Sequence, residues 1–273
     1  MKTTFKILII AFILLFTSCE DVVNIELDTA PAKLVIDASL KWEKGTTGNE
    51  QTIKLTTTTD FYATTIPVVS GAVVFVRDEN ANRFDFVETP GTGNYVCTNF
   101  IPVINRNYTL TVIYNGQTYT ASEKLIAVPT IDSVEQNNNG GFTGNQIEVK
   151  FFFEDDAMIN NFYLEEYTTN FTLLRQYEVS SDEFFQGNQM FGLYSNEDLN
   201  INNQINFTLQ GISERYYNYM NILLAVAGSN SGSPFQTPPA TVRGNIINQT
   251  NFNNFALGYF RVSETDKKNY IVQ

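Results

Sequence analysis

The chain reads as a mainly β protein, and three observations carry that reading. Short runs rich in β-branched and aromatic residues recur from Lys33 onward, turn residues separate them, and only one stretch shows a helical period. The runs at 34–40, 52–56, 72–76, 84–87, 108–114 and 118–121 alternate apolar with polar residues in several cases, as an antiparallel sheet with one buried face requires. Asn115-Gly116 stands between the last two runs. A two-residue type I′ turn needs positive φ at both central positions, so this pair predicts a hairpin. Residues 31–129 therefore read as one β-sandwich of about a hundred residues, the size of an immunoglobulin-like module.

Val128-Pro129-Thr130 marks a joint, because proline cannot donate to a ladder, and Ile131 opens a new strand. The region 130–273 reads as a second β-rich domain, with strands expected at 131–134, 147–153, 162–167, 171–174, 205–209 and 256–263. Its one helix is expected over 213–227. Ser213 caps it, Ile212, Tyr216, Met220, Leu223, Leu224 and Ala227 recur at three- and four-residue steps, and Gly228 stops it. Such an aromatic and methionine stripe predicts packing against a sheet, not a cofactor box. The Ser, Gly and Pro content of 228–241 predicts a loop.

Composition excludes several classes of function. Against 29 Asp and Glu there are 17 Lys and Arg, a net charge of -12, so the basic stripe that holds a phosphate backbone is missing and nucleic acid is not an expected partner. Histidine is absent, which removes the Ser-His-Asp triad, the Cys-His pair and the His-containing zinc sites. No Gly-rich phosphate loop, CxxC pair or nucleophile elbow occurs, so neither an enzyme nor a cofactor is expected. Hydrophobic residues at 43% and aromatics at 14% supply a real core and argue against disorder.

Residues 1–18 read as a signal peptide: Lys2 and Lys6 precede the apolar run 7–16, and small residues follow. Ten helical residues rise about 15 Å, half of the ~30 Å hydrocarbon core, so the run is too short to span a bilayer. Cys19 comes next, and the arrangement resembles a bacterial lipobox, in which the Cys thiol takes a diacylglycerol and becomes the new N-terminus; Phe16 stands where that motif usually has Leu. Cleavage removes two lysines and no acid, leaving 15 basic against 29 acidic residues, a charge of -14. Anionic head groups repel such a body, so the membrane anchor is expected to be the lipid on Cys19. Residues 19–30 form an acidic tether, and Glu20 and Asp21 resemble the surface-export signal of Bacteroidota lipoproteins. With Cys19 acylated only Cys97 remains; no intrachain disulfide is expected, and its strand context predicts a buried, inert thiol.

Several residues are candidate sites. Glu154, Asp155 and Asp156 crowd one strand end, as an oxygen-rich Ca²⁺ site would, although a solvated turn is the expected role in so acidic a chain. Asp78-Glu79-Asn80-Ala81-Asn82 opens like a calcium loop but has Arg83 at position six and Thr89 at position twelve, so a hairpin turn is expected. Trp42, Tyr62, Tyr216 and Tyr217 are candidates for stacking on sugar rings, and a glycan or peptide ligand is considered on that ground. Thr29 and Ser133, each after Asp and before an aliphatic residue, resemble Bacteroidota O-glycosylation sites.

Taken with the lipobox cysteine and its acids, the runs 69–74, 119–121 and 128–133, the helix start at Ile212-Ser213-Glu214, Pro238-Pro239, Gly244-Asn245-Ile246 and Leu257-Gly258-Tyr259-Phe260 resemble the Bacteroidota lipoprotein family known as domain of unknown function 4249. The resemblance covers nearly the whole mature chain; the first half alone would also fit a carboxypeptidase-regulatory-like sandwich. It implies a lipid-anchored outer-membrane protein, often encoded beside a Sus-type TonB-dependent transporter, and it supplies no catalytic residues. The expected role is an accessory or binding lipoprotein that faces the cell exterior and works with such a β-barrel transporter in nutrient uptake. Two alternatives belong to other classes: a structural or adhesive surface protein without a transporter, and a glycan hydrolase using a pair of carboxylates.

Overall fold

Alternation builds most of the first seven strands. The computed structural model describes residues 31–60, 62–141, 144–227 and 242–273. In β1 (Leu34–Glu43) Ile36, Ala38 and Leu40 are buried while Asp37 faces water. The same period runs through β2 (Gln51–Thr57), β4 (Arg83–Thr89), β5 (Asn94–Cys97), β6 (Asn107–Tyr114) and β7 (Gln117–Lys124), whereas in β3 (Val73–Asp78) Val74, Phe75 and Val76 are all buried. Between β6 and β7 the chain turns at Asn115-Gly116 with φ of 48° and 70°, the positive pair that a type I′ turn demands. One hydrogen-bonded ladder runs β1-β2-β5-β4 and on through β3, β6, β7 and the short β14 (Ile247–Asn248). Doubling back at β4, it encloses a core that includes Ile36, Leu55, Tyr95, Leu110 and Phe260. Phe100 packs on Phe84 and Tyr108 at ring separations of 5.0 and 5.1 Å.

The rest of the chain adds β8 (Ile131–Gly140), β9 (Gln146–Glu154), β10 (Phe162–Thr169), β11 (Gln176–Ser181), β12 (Gln189–Ser195), β13 (Gln204–Ile212), α1 (Glu214–Ala227) and β15 (Leu257–Ile271). Strands β11-β10-β13-β15 continue the large sheet beside β1, and β12-β9-β8 form a separate three-stranded sheet. These two sheets close over Val149, Phe151, Phe153, Tyr163, Tyr167, Phe207 and Leu209. On the other face of β10, α1 buries Tyr216 and Met220 against Leu164, Ile212 and Tyr259. Ser213 Oγ accepts from the Tyr216 amide at 3.2 Å, the expected N-cap.

Strand β15 belongs to both halves. Its first part runs parallel to β1, from Val35 opposite Leu257 to Glu43 opposite Thr265, and its last part runs antiparallel to β13, from Gln210 opposite Thr265 to Gln204 opposite Ile271. Phe260 and Val262 enter the first core and Val272, just past the strand, enters the second. The two cores thus share residues from both sides of Pro129, and residues 32–273 form one compact unit. At about 3.3 Å per residue, the strand is roughly 46 Å long.

The structure differs from the sequence expectation in three places. Residues 171–174 are a loop and not a strand, with Leu173 and Leu174 fully or almost fully exposed at 103% and 84%. Their side chains alternate poorly, since two adjacent leucines cannot share one face of a strand. Strands β11 and β12 come from stretches without a strong β signal. The last strand also continues well past Ser263, with Lys267 exposed on one face and Lys268 half-buried on the other.

Candidate functional site

The crossing between the cores is pinned by acids of β15. Glu264 Oε2 accepts from the Val128 amide at 2.9 Å and Asp266 Oδ2 from the Ile131 amide at 2.7 Å. Beside this crossing opens a cavity of about 600 Å³, walled by Lys124 and Pro129, by Glu154 at the end of β9 with Asp155 and Asp156 after it, and by Glu214 at the start of α1. The sequence-predicted acid triplet therefore lines a real concavity.

Within it, each carboxylate has its own structural partner. Asp155, 9% exposed, accepts from the Tyr163 hydroxyl at 2.6 Å and from the Gly187 amide at 2.9 Å. Asp156 accepts from the Met158 amide at 2.9 Å, and Glu154 from the Gln189 side chain at 3.3 Å. Burial, together with the adjacent Asp155, pushes the Tyr163 phenol far above its ordinary value. Among the described residues no group of three or more Asp, Glu or Cys side chains converges as a metal site would. The arrangement staples the 155–161 loop to the 182–188 turn, where Asp182 likewise accepts from the Asn161 amide at 2.7 Å.

A second polar assembly lies on the face of the sheet that α1 covers, and nothing in the sequence announces it. Lys41 on β1 donates to Glu166 Oε2 on β10 at 2.9 Å; Arg175 donates to Glu166 Oε1, and Gln210 on β13 to Glu166 Oε2 at 3.1 Å. Arg261 on β15 donates to Ser39 and Ser263 at 3.3 and 3.1 Å and lies over the Tyr216 ring at 5.1 Å. Burial raises the Glu166 carboxyl, but Lys41 and Arg175 outweigh it and hold the group below its ordinary value. Lys41 is itself lowered, by burial and then by the like charge of Arg261, against the pull of Glu166. Asp37, Ser39 and Lys41 do put three polar residues in a row on one face of β1, but such a row is what any solvent-facing strand edge shows.

The remaining sequence-predicted residues scatter. Cys19, Glu20, Asp21 and Thr29 lie outside the described residues, as do Gly228 and Pro238-Pro239. Ser133 is exposed on β8. Cys97 is buried, and that burial pushes its thiol up, which keeps it unreactive. Asp78 is the centre of a turn: it accepts from the Asn80 and Asn82 amides at 3.0 and 2.9 Å and from Arg106 at 3.0 Å. Of the four aromatics considered for sugar stacking, Tyr216 is buried against Tyr259, Tyr217 packs on Phe162, and Trp42 is half-buried with its indole N–H on the Thr46 carbonyl. Tyr62 alone of the four stands in solvent, at 75% exposure. No described helix is long and apolar enough to cross a membrane.

Comparison with solved structures finds partial similarity to a DUF4785 family protein of Legionella pneumophila, at 9% identity over 66% of this chain and 51% of that one, with a TM-score of 0.26. The FN1–FN3 domains of chicken CNTN1 align at 10% identity over 61% of this chain and 56% of that one, with a TM-score of 0.21. The chain thus spans about half the length of these structures. No curated protein matches it. The family model described as Domain of unknown function (DUF4249) matches residues 20–269, and the chain belongs to that family.

Proposed function

We propose that this protein is a non-enzymatic, lipid-anchored lipoprotein of the outer membrane that captures a glycan or peptide nutrient for a TonB-dependent transporter. One observation supports the reading above others: the chain joins the fold at one end, and an amide-rich set of loops lies at the other. Lys33, just before β1, bonds Thr58 at the Leu257 level of β15, whereas the loops at 170–175 and 196–203 and the C-terminus lie past the Ile271 end. Those loops are tied to one another. The Gln204 amide donates to Asn170 Oδ1 at 3.0 Å and the Asn170 amide to the Gln204 carbonyl at 3.3 Å, the Asn202 amide donates to the Val272 carbonyl at 2.8 Å, and Gln136 donates to the Gln273 carbonyl at 2.8 Å.

A rigid scaffold that presents loops far from its anchor suits capture, because loops can vary while the sheet holds them. The Asn and Gln side chains there offer uncharged donors and acceptors that suit hydroxyl groups or peptide backbone. A lipid on Cys19 would place this end outward. Affinity purification from detergent-solubilised membranes tests the proposal. Recovery of a β-barrel transporter with the protein, together with loss of uptake of one nutrient on gene deletion, is the expected result. Repeated purification without a barrel, with uptake unchanged, would favour the adhesive alternative instead.

A further inference from the structure

We propose that the end of the body from which the tether leaves is itself a membrane-contact face, whose Tyr62, Ile66 and Phe252 rest in the head-group layer. The inference depends on the lipid anchor at Cys19 and adds to it a fixed orientation.

The residues concerned come from two segments that meet at Lys33. The Lys33 amide donates to Thr58 Oγ1 and the Thr58 amide to the Lys33 carbonyl, each at 2.9 Å, so the loop after β2 starts at the point where the chain joins the fold. That loop closes with the Thr57 amide on the Pro67 carbonyl at 3.0 Å, and it presents Tyr62 and Ile66 at 75% and 67% exposure. The second segment follows β14. Phe255 there is held between the Lys33 ammonium, 3.9 Å from its ring centre, and the Arg243 guanidinium at 3.8 Å. Asn248 fixes the turn before it, accepting from the Thr250 and Asn251 amides and donating to the Asn254 carbonyl at 2.7 Å. A turn so fully determined by hydrogen bonds nonetheless holds Phe252 out at 71% exposure.

Tyrosine and phenylalanine are favoured where apolar carbon meets water, and Lys33 and Arg243 supply cations at the level of lipid phosphates. Asp60 and Glu88 lie at the same end. The Glu88 carboxylate is already bound by the Ser70 hydroxyl at 2.7 Å and the Gly71 amide at 3.0 Å. The tether argues for lipid as the occupant. Only twelve residues, 20–31, separate Cys19 from the fold, so this end stays within about 40 Å of the bilayer even at full extension. At the high effective concentration that a tether creates, three modest side chains are sufficient for contact.

The test uses the full lipidated chain in vesicles of phosphatidylcholine, with and without brominated phosphatidylcholine, whose bromines quench nearby indoles. Phe252→Trp places an indole on the proposed face, Leu173→Trp places one at the far end, and the native Trp42 is common to both. Flotation with the vesicles reports the anchor, separately from quenching. The expected result is loss of most of the added emission for Phe252→Trp and no loss for Leu173→Trp. Protein that floats but shows Phe252→Trp unquenched, or both variants quenched alike, would overturn the proposed face and leave the anchor standing. Protein that fails to float would overturn both.

Discussion

Glu165 is a carboxylate that the second core holds with no cation paired to it among the described residues. Tyr167 and Ser180 each donate to it at 2.8 Å, and Gly192 on β12 is glycine because a Cβ there would come within 2.6 Å of the Tyr167 hydroxyl and 2.8 Å of Glu165. Burial pushes its pKa up to about 7, against those two hydrogen bonds and with a small contribution from Glu178. Between the ordinary carboxylate range and pH 7 the folded chain therefore binds a proton that the unfolded chain has released, so this group's contribution to stability is fullest at low pH and is lost as pH rises through 7. The loss is about 3 kcal/mol in order of magnitude. Thermal melts should show a higher Tm near pH 5 than near pH 8, and Glu165→Gln should flatten that difference; an unchanged slope in the variant would exclude Glu165 as its source. Glu166, one residue on, faces the opposite side and carries the opposite sign of shift. Glu166→Gln leaves Lys41 and Arg175 without their shared anion, at a cost of about 3 kcal/mol, the lower end for a broken buried pair because both partly reach water. Urea titration of the variant checks this.

Among the elements, α1 depends on one cap and two anchors. Ser213→Ala should cost about 1 kcal/mol through the lost bond to the Tyr216 amide, and Met220→Ala about 2 to 5 kcal/mol through the cavity left against Leu164 and Tyr259. Equal losses for the two in a denaturation series would contradict this ranking. This helix was legible in the sequence because cap, period and glycine stop all point to the same fourteen residues. The β6–β7 hairpin was legible for the same reason, its turn chemistry agreeing with the flanking alternation. Strands β11 and β12 were not, because their support is cross-strand: β11 pairs with β10 and β12 with β9, and Gly192 is chosen for what it faces. The run 171–174 misled in the opposite sense. Its apolar content suggested a strand, yet the Thr169 hydroxyl meets both the Thr172 hydroxyl at 2.7 Å and its amide at 3.0 Å, turning the chain and leaving Leu173 and Leu174 in water. The Lys41–Glu166 assembly was invisible because its members are 125 residues apart and each resembles a surface residue until β15 and β13 bring the two strands into one sheet.

For the whole molecule, β15 determines how the two cores respond to stress. A strand hydrogen-bonded to β1 along one part and to β13 along the other makes it costly for either core to open alone. Trp42, the one tryptophan of the chain, packs against the first core, so its fluorescence reports that half while far-UV dichroism reports both. The two transitions should coincide in denaturant, and Phe260→Ala should move them together by about 3 to 5 kcal/mol. Separate transitions would show that the joint near Pro129 divides the chain into units that unfold independently. The same strand sets the distance between the tether end and the far loops, and the proposed role uses that distance only if the chain is held by its amino terminus. Intact-mass spectrometry of the protein purified from its native membranes tests that most directly. A chain beginning at Cys19 and carrying a thioether-linked diacylglycerol is the predicted species; a chain whose Cys19 carries no lipid, recovered from the same membranes, would contradict it.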